Sequence, residues 1–341
     1  GGVSNSTAGV ATSGKPSTGG VSNSTAGVAT SGKPSTGGVS NSTAGVATSG
    51  KPSTGGSAGA SSAGSGGTSD SCGPQQSRLR VTNHCSEPLW LEHSANISDP
   101  QSLRVAPSGC YDFAVPEARL ESTRVWAKTG CDVNGSNCQI GQSVAPCPTG
   151  GCQPPIESKF EATFADPSSC PTTNASANCL TWYNASQVDG YTLPFRIRPL
   201  GVGSDQPGCV QSDCAQLDLA QCPSQADLSE GTYSDYRSVD LRIFAPNNPA
   251  KVIGCMSPCK KLNYPAPWGL GLSETSKPAV DFCCPTPPIS SDQCSSGPVA
   301  SSAYVTRMHQ MCPSVYGYAY DDAAGLHTCP AQTKFEVVFC P

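Results

Sequence analysis

Cysteine is the residue type whose number and spacing say most about chemistry in this sequence. All twenty cysteines follow residue 71. An even, dense set of this kind is typical of disulfides formed in an oxidising compartment. A zinc site usually brings nearby histidines or closely spaced cysteine pairs, whereas the four histidines here are scattered. The pattern therefore predicts disulfides, with no metal site and no cofactor.

A second candidate for chemistry is a carboxylate in the segment KFEATF at residues 159–164. Its apolar and polar side chains alternate with the period of two of a β-strand, so Glu161 is predicted to point away from the core. A carboxylate in that position could serve as a general acid, a general base or a ligand-binding group. The chain has neither a nucleophile elbow between a strand and a helix nor a phosphate-binding loop.

Short β-rich runs separated by proline and glycine are the elements that must position these residues. They lie at residues 78–82, 89–91, 124–127, 159–164, 195–197 and 335–339. Many short strands with regular turn signals predict a β-sandwich or barrel. The best helix candidate is 212–221, which follows a Ser-Asp pair and ends before a Cys-Pro pair.

The first 71 residues differ from the rest of the chain. Residues 1–54 are three copies of GGVSNSTAGVATSGKPST, and the whole stretch lacks aromatic residues, Leu, Ile and Cys. Such a segment cannot bury enough apolar surface to offset the entropy of ordering its backbone. We expect residues 1–71 to be a disordered tether, with a cell-wall-adhesive repeat as the alternative, and residues 72–341 to be the folded domain.

Charge and hydropathy narrow the classes of function. Charged residues make up 13% of the chain and the net charge is −5, which disfavours nucleic acid as a partner. No apolar run approaches the roughly 18 residues needed to cross a bilayer. The sequence begins at Gly without a signal-like apolar run, so we expect that a secretion signal was removed or is not included.

Several motifs in the cysteine-rich region resemble those of the thaumatin-like proteins, the osmotin-like group 5 of pathogenesis-related proteins. They are VTNHCSEPLWL (81–91), RVWAKTGC (124–131), WYNASQVDGYTLPF (182–195), GCVQSDCAQLDLAQCP (208–223), DFCC (281–284), CPSVYGYAYDDAAGLHTCP (312–330) and FEVVFCP (335–341). They occur in the family's order, and the resemblance covers nearly all of residues 78–341.

The resemblance implies a mainly β fold. It consists of a flattened antiparallel β-sandwich, a disulfide-rich second lobe near residues 208–312 that carries a short helix, and a small third loop region. A cleft between the sandwich and the second lobe is usually acidic in this family. That cleft is associated with binding, and sometimes hydrolysing, β-1,3-glucans.

The resemblance also implies a set of disulfides. These are Cys85–Cys340, Cys131–Cys138, Cys147–Cys152, Cys209–Cys329, Cys214–Cys312, Cys222–Cys255, Cys259–Cys283 and Cys284–Cys294. Of the remaining cysteines, Cys170 and Cys179 lie close together in an inserted loop and are predicted to pair. Cys72 and Cys110 are then left for each other, although sequence alone does not determine connectivity.

Carried over by position, the family's cleft set of one Arg, one Glu and three Asp falls partly on other residue types. The expected cleft residues are Lys128 at the Arg position, Glu161, Asn184 in place of one Asp, Asp189, and Asp321 with Asp322 beside it; Tyr320 is a candidate for stacking on a sugar. Glu161 and Asp189 would form the catalytic pair.

These departures bear on activity. Glycoside hydrolysis needs one protonated and one ionised carboxyl group, and Lys128 could keep one of them ionised. Asn184 keeps hydrogen-bonding capacity without the charge, and a lysine lacks the bidentate fork of arginine. The sequence thus favours carbohydrate binding with weak or no turnover.

Each of these residues also has a plainer interpretation. Asp189 precedes a glycine and would suit a turn. Glu161 and Lys128 could be solvated surface charges, and the two C-terminal aspartates could simply belong to a loop. Tyrosines in such strands more often pack the sandwich than bind sugars.

The leading hypothesis is a secreted, monomeric, antifungal defence-type protein that binds β-1,3-glucan or another cell-wall polysaccharide. One alternative is a weak endo-β-1,3-glucanase. Another is a structural protein that the tether displays on a cell envelope, without glycan activity.

Overall fold

The computed structural model describes residues 72–94, 97–143, 156–170 and 177–341. The predicted tether at 1–71 and the predicted Cys147–Cys152 pair lie outside these residues. The strands are β1 (Leu79–Asn83), β2 (Leu89–Ser94), β3 (Leu103–Val105), β4 (Cys110–Phe113), β5 (Leu120–Lys128), β6 (Lys159–Phe164), β7 (Leu180–Ser186), β8 (Gly190–Tyr191), β9 (Phe195–Leu200), β10 (Ser212–Cys214), β11 (Arg242–Ala245), β12 (Asn248–Met256), β13 (Val315–Tyr316), β14 (His327–Pro330) and β15 (Lys334–Phe339).

These strands form three sheets. Sheet A has the order β10-β9-β15-β1-β4, and sheet B has the order β13-β7-β6-β5-β2-β3 with β14 also paired to β7. The small sheet C has the order β11-β12-β8. In sheet A the first and last strands, β1 and β15, run parallel and adjacent, so the two ends of the domain are joined in one sheet.

Aromatic side chains fill the space between sheets A and B. Phe160 and Phe164 of β6 are fully buried, and their rings lie 5.9 and 6.0 Å from that of Phe335 on β15. Tyr183 of β7 is also fully buried, with its ring 4.7 Å from Phe335. The mainly β sandwich is confirmed, and the alternation in β6 is as predicted, because its apolar side chains face sheet A while Glu161 stays partly exposed.

The helices are α1 (Pro258–Asn263), α2 (Ala279–Cys283), α3 (Ser291–Ser295), α4 (Ala303–Met311) and α5 (Asp322–Gly325). The helix predicted at 212–221 is wrong. Ser212–Cys214 instead form β10 against β9, and only Leu219–Gln221 make a single 3₁₀ turn, capped by the Asp218 carboxylate. Strand pairing and disulfides to two distant partners override the local helix signals here.

Nine disulfides join the described cysteines. They are Cys72–Cys110, Cys85–Cys340, Cys131–Cys138, Cys170–Cys179, Cys209–Cys329, Cys214–Cys312, Cys222–Cys255, Cys259–Cys283 and Cys284–Cys294. The Cys72–Cys110 bond, which sequence alone left open, ties the start of the domain to β4. In the chain-entropy model, closing the long loop between Cys85 and Cys340 stabilises the fold by about 5 kcal/mol.

Two further properties concern the part of the chain that the structure describes. None of its helices has the length and apolar character needed to cross a bilayer. Nor do these residues contain a group of three or more His, Cys, Asp or Glu side chains placed to hold a metal ion.

Candidate functional site

The outer face of sheet B carries the polar side chains that alternate with the core residues. Register places Glu161 of β6 directly between Arg124 of β5 and Asn184 of β7. The adjacent row places Lys159 of β6 between Trp126 and Ser186. Residues paired across neighbouring strands project to the same side of a sheet, so these rows form one polar surface.

An ion pair lies at the centre of this surface. Arg124 Nε is 2.8 Å from Glu161 Oε1, and the two side chains are 34% and 23% exposed. The pair is therefore open to solvent, with both partners available to a ligand. Sequence reasoning missed Arg124, although it lies in the RVWAK motif on the same strand face as Lys128.

Lys128 does not join this pair, contrary to expectation. Its Nζ lies 2.8 Å from Oε1 of Glu92 on β2, and both side chains are almost completely buried. The other Glu92 oxygen accepts a hydrogen bond from the backbone of Ser143. Residues 141–143 therefore cover this end of the surface, and Lys128 contacts a carboxylate other than Glu161 or Asp189.

Asp189 belongs to a second, more enclosed group of charges. Lys159 Nζ lies 2.5 Å from Asp189 Oδ2 and 3.3 Å from Glu157 Oε1, and Lys260 of α1 lies 3.2 Å from Asp189 Oδ1. We call these four residues the Lys159 cluster. The alternation in KFEATF puts Lys159 on the same strand face as Glu161, but its side chain is only 7% exposed because the loop at Asp189 and helix α1 cover it.

Burial and neighbouring charges shift the titration of the Lys159 cluster. Burial raises the pKa of Glu157 to about 7, with the Lys159 charge opposing the rise and the Asp189 charge adding to it. Burial alone would also raise the pKa of Asp189, but the Lys159 and Lys260 ammonium groups outweigh burial and hold it well below its usual value. The two carboxyl groups are thus driven in opposite directions.

Asn184 and Trp182 extend the open ion pair along β7. The Asn184 Oδ1 is buried and accepts no hydrogen bond from any described residue. Trp182, two residues away on the same strand face, is 37% exposed. Sequence reasoning overlooked Trp182, although its spacing from Asn184 was enough to place it on the polar face.

The two C-terminal aspartates, Asp321 and Asp322, interact with residues close to them in sequence. Asp321 is buried, accepts a hydrogen bond from the Gly317 backbone at 2.9 Å, and lies 2.7 Å from Nε2 of His309 on α4. Asp322 accepts a hydrogen bond from the Tyr316 hydroxyl at 2.5 Å. Tyr316 pairs with Ser186 of β7, which connects this region to the edge of the polar surface.

The tyrosines contribute less than expected. The Tyr320 hydroxyl donates to Thr286 Oγ1 at 2.7 Å. Tyr183 and Tyr318 are buried, which agrees with their plainer interpretation as packing residues. Of the predicted residues, the polar surface brings together Glu161 and Asn184. Asp189 lies in the neighbouring Lys159 cluster. Lys128 belongs to neither group and pairs with Glu92.

This arrangement is suited to holding a polar ligand. An arginine fork, a carboxylate and an amide in one row can exchange several hydrogen bonds with hydroxyl groups, and an exposed indole offers a flat apolar face. General acid catalysis would need an accessible carboxyl group with a raised pKa. The described carboxyl group raised to about 7 is Glu157, which is only 3% exposed.

The fold and this surface together define a disulfide-rich β-sandwich protein with a polar sheet face beside a helical second lobe. The Thaumatin family profile matches residues 83–341, and the chain belongs to the thaumatin family. Thaumatin-like protein 1 of Pyrus pyrifolia is 27% identical over 284 residues, covering 80% of this chain and 94% of that protein.

The chain is also similar to a second curated protein and to a solved structure. A protein of Prunus avium named glucan endo-1,3-beta-glucosidase is 24% identical over 281 residues, covering 79% of this chain and 92% of its own length. Among solved structures, a thaumatin-like xylanase inhibitor is similar with a TM-score of 0.29 and 12% identity, covering 78% of this chain and 100% of that chain.

Proposed function

We propose that this protein is a secreted, defence-type carbohydrate-binding protein that recognises β-1,3-glucan on the outer face of sheet B. The observation that carries the proposal is the open Arg124–Glu161 pair, which Asn184 flanks directly and Trp182 extends. The dense disulfides suit an oxidising extracellular location. The proposed tether at residues 1–71 would hold the domain near a cell surface.

Binding is favoured over turnover because of how the charges are paired. Glu161 Oε1 lies against Arg124 Nε, and Asp189 is held by two lysines. The Asp189 carboxylate is therefore stabilised in the ionised form. An ionised Asp189 cannot supply the protonated acid that glycoside hydrolysis needs, whereas the open Arg124–Glu161 pair can still exchange hydrogen bonds with sugar hydroxyls.

The experiment is retention of the native full chain on insoluble β-1,3-glucan, with Trp182→Ala and, as a control, Val202→Ala. Val202 is another exposed apolar residue, 56% accessible, in a loop of sheet A. Trp182→Ala should weaken retention about tenfold, a change of about 1.4 kcal/mol, while Val202→Ala should not change it. Absence of retention of the native protein would end this proposal.

A weak endo-β-1,3-glucanase is the second candidate. The opposed pKa shifts of Glu157 and Asp189 resemble the division into acid and base that glycosidases use. This activity would require the Lys159 cluster to open and admit substrate. Release of reducing ends from laminarin should then be lost in Glu157→Gln; release that is unchanged in this variant contradicts the assignment.

A further inference from the structure

A groove of about 280 Å³ lies on the second lobe, between β11 and the segment that follows α1. Its walls include Asp240, Arg242, Phe244, Lys261, Pro267 and Trp268. None of these residues belongs to the polar surface of sheet B or to the Lys159 cluster. The groove is just below the roughly 300–1,000 Å³ of typical ligand pockets, which suits one sugar ring rather than a longer chain.

One wall of the groove is formed by an ion pair between Arg242 and Asp240, which are joined by two hydrogen bonds. Arg242 Nε and Nη2 donate to the two carboxylate oxygens of Asp240 at 2.9 and 2.8 Å. The Arg242 guanidinium lies 5.1 Å from the centre of the Phe244 ring, which holds its plane against the aromatic face. The hydrogen bonds of the Asp240 carboxylate that the structure shows are all to Arg242.

The second cation is Lys261. Its Nζ donates to the backbone carbonyl of Trp268 at 3.1 Å, and within the described ranges no carboxylate oxygen lies within 4.0 Å of it. Burial lowers the pKa of Lys261, with the more distant Asp240 charge opposing the shift. A partly dehydrated ammonium group without a carboxylate of its own is stabilised by an anion placed beside it.

We propose that this groove binds a single acidic sugar ring, a uronic-acid residue of a polysaccharide. The ring's carboxylate would face Lys261, completing the hydrogen bonds of its ammonium group. The flat C–H face of the ring would pack on Trp268 and Pro267. This site is independent of the β-1,3-glucan surface, since it uses different residues and a ligand of different charge.

The test is calorimetric titration of the full chain with a galacturonate trisaccharide and with its carboxyl-reduced, neutral form. Native protein should bind the acidic form at least about tenfold more tightly. Lys261→Gln should remove this preference, whereas Lys251→Gln, at an exposed lysine of β12, should keep it. Trp268→Ala should weaken binding of both forms, and acetate, an anion without a ring, should bind far more weakly.

Several outcomes would overturn the proposal. They are equal affinity of the native protein for the acidic and neutral forms, an unchanged preference in Lys261→Gln, and no heat of binding to either form. Thermal unfolding of each variant with disulfides intact establishes that it is folded. Trp182→Ala should leave galacturonate binding unchanged, so the failure of one proposed site is distinguishable from the failure of the other.

Discussion

Two groups of charges occupy adjacent rows of sheet B, and they differ in access to water. In the open Arg124–Glu161 pair the side chains are 34% and 23% exposed. In the Lys159 cluster, Lys159 and Glu157 are 7% and 3% exposed. Both groups include a residue of β6 and pair a cation with a carboxylate, but helix α1 and the loop at Asp189 cover only the second group.

This difference in burial determines whether a mutation in the group affects ligand binding or folding stability. A partly exposed ion pair contributes only about 0–1 kcal/mol to folding, because water competes for both partners and the side chains lose entropy. A buried group is costly to break, since removing one charge leaves its partners desolvated and unpaired. We therefore expect mutations in the open pair to affect ligand binding and mutations in the cluster to affect folding.

The largest expected effect is from Lys159→Met. This change leaves Glu157 and Asp189 without the cation between them and should lower the free energy of unfolding by about 3–5 kcal/mol. Denaturant titration with disulfides intact measures it. The matched control is Arg124→Met, which should cost less than about 1 kcal/mol. Similar losses in the two variants would abolish the distinction between the open and buried groups.

A smaller effect concerns pH. The pKa of Glu157 is raised to about 7 from an ordinary value of 4.5, so the folded state binds more protons than the unfolded state between these pH values. Its contribution is therefore fully present below about pH 4.5 and is lost as pH rises to about 7, a change of up to roughly 3 kcal/mol. The charged and titratable groups around it are Lys159, Asp189, Lys260 and Tyr264.

The variant Glu157→Gln removes the contribution that the titration of Glu157 makes to the free energy of unfolding. The unfolding free energy of the native protein relative to that of the variant should fall as pH rises from 4.5 to 7, because the raised pKa of Glu157 makes its ionisation unfavourable in the folded state. Asp189, whose pKa is lowered, acts at lower pH: its stabilisation is lost as pH falls below its ordinary value of 3.8. A difference that does not vary with pH over the upper window would show that Glu157 is ionised throughout.

The smallest expected effect tests whether the guanidinium group of Arg124 contacts the glucan. Arg124→Lys keeps the charge beside Glu161 but removes the planar fork, so glucan retention should weaken by roughly three- to tenfold while the unfolding free energy stays within about 0.5 kcal/mol. Retention on β-1,3-glucan and thermal unfolding measure the two quantities. Unchanged retention would mean that the fork is not a ligand contact.

Much of the framework was predictable because it rests on local or covalent patterns. The alternation in KFEATF correctly placed Phe160 and Phe164 in the core and Glu161 on the opposite face. The cysteine pattern, with the family resemblance, anticipated the nine disulfides of the described residues. The prediction for the strand holds in the folded protein because the face on which a side chain lies depends only on its position in the period of two.

The partners of the charged residues were not predictable in the same way. The family's cleft positions predict that Lys128 lies near Glu161 and Asp189, but strand register brings Arg124 to Glu161, and Lys128 pairs with Glu92. The alternation that puts Glu161 on the polar face also puts Lys159 there, but distant segments cover Lys159. Similarly, strand pairing with β9 replaced the first part of the helix expected at 212–221.

The amino-acid sequence by itself determined that this chain builds a disulfide-rich β-sandwich with one polar sheet face. Only the tertiary structure decided which charges on that face stay open and which are enclosed. The physical reason is that burial of a charge depends on segments outside its own strand, such as α1 over Lys159 and residues 141–143 over Lys128. The period of two along a strand does not predict which other segments will bury a given side chain.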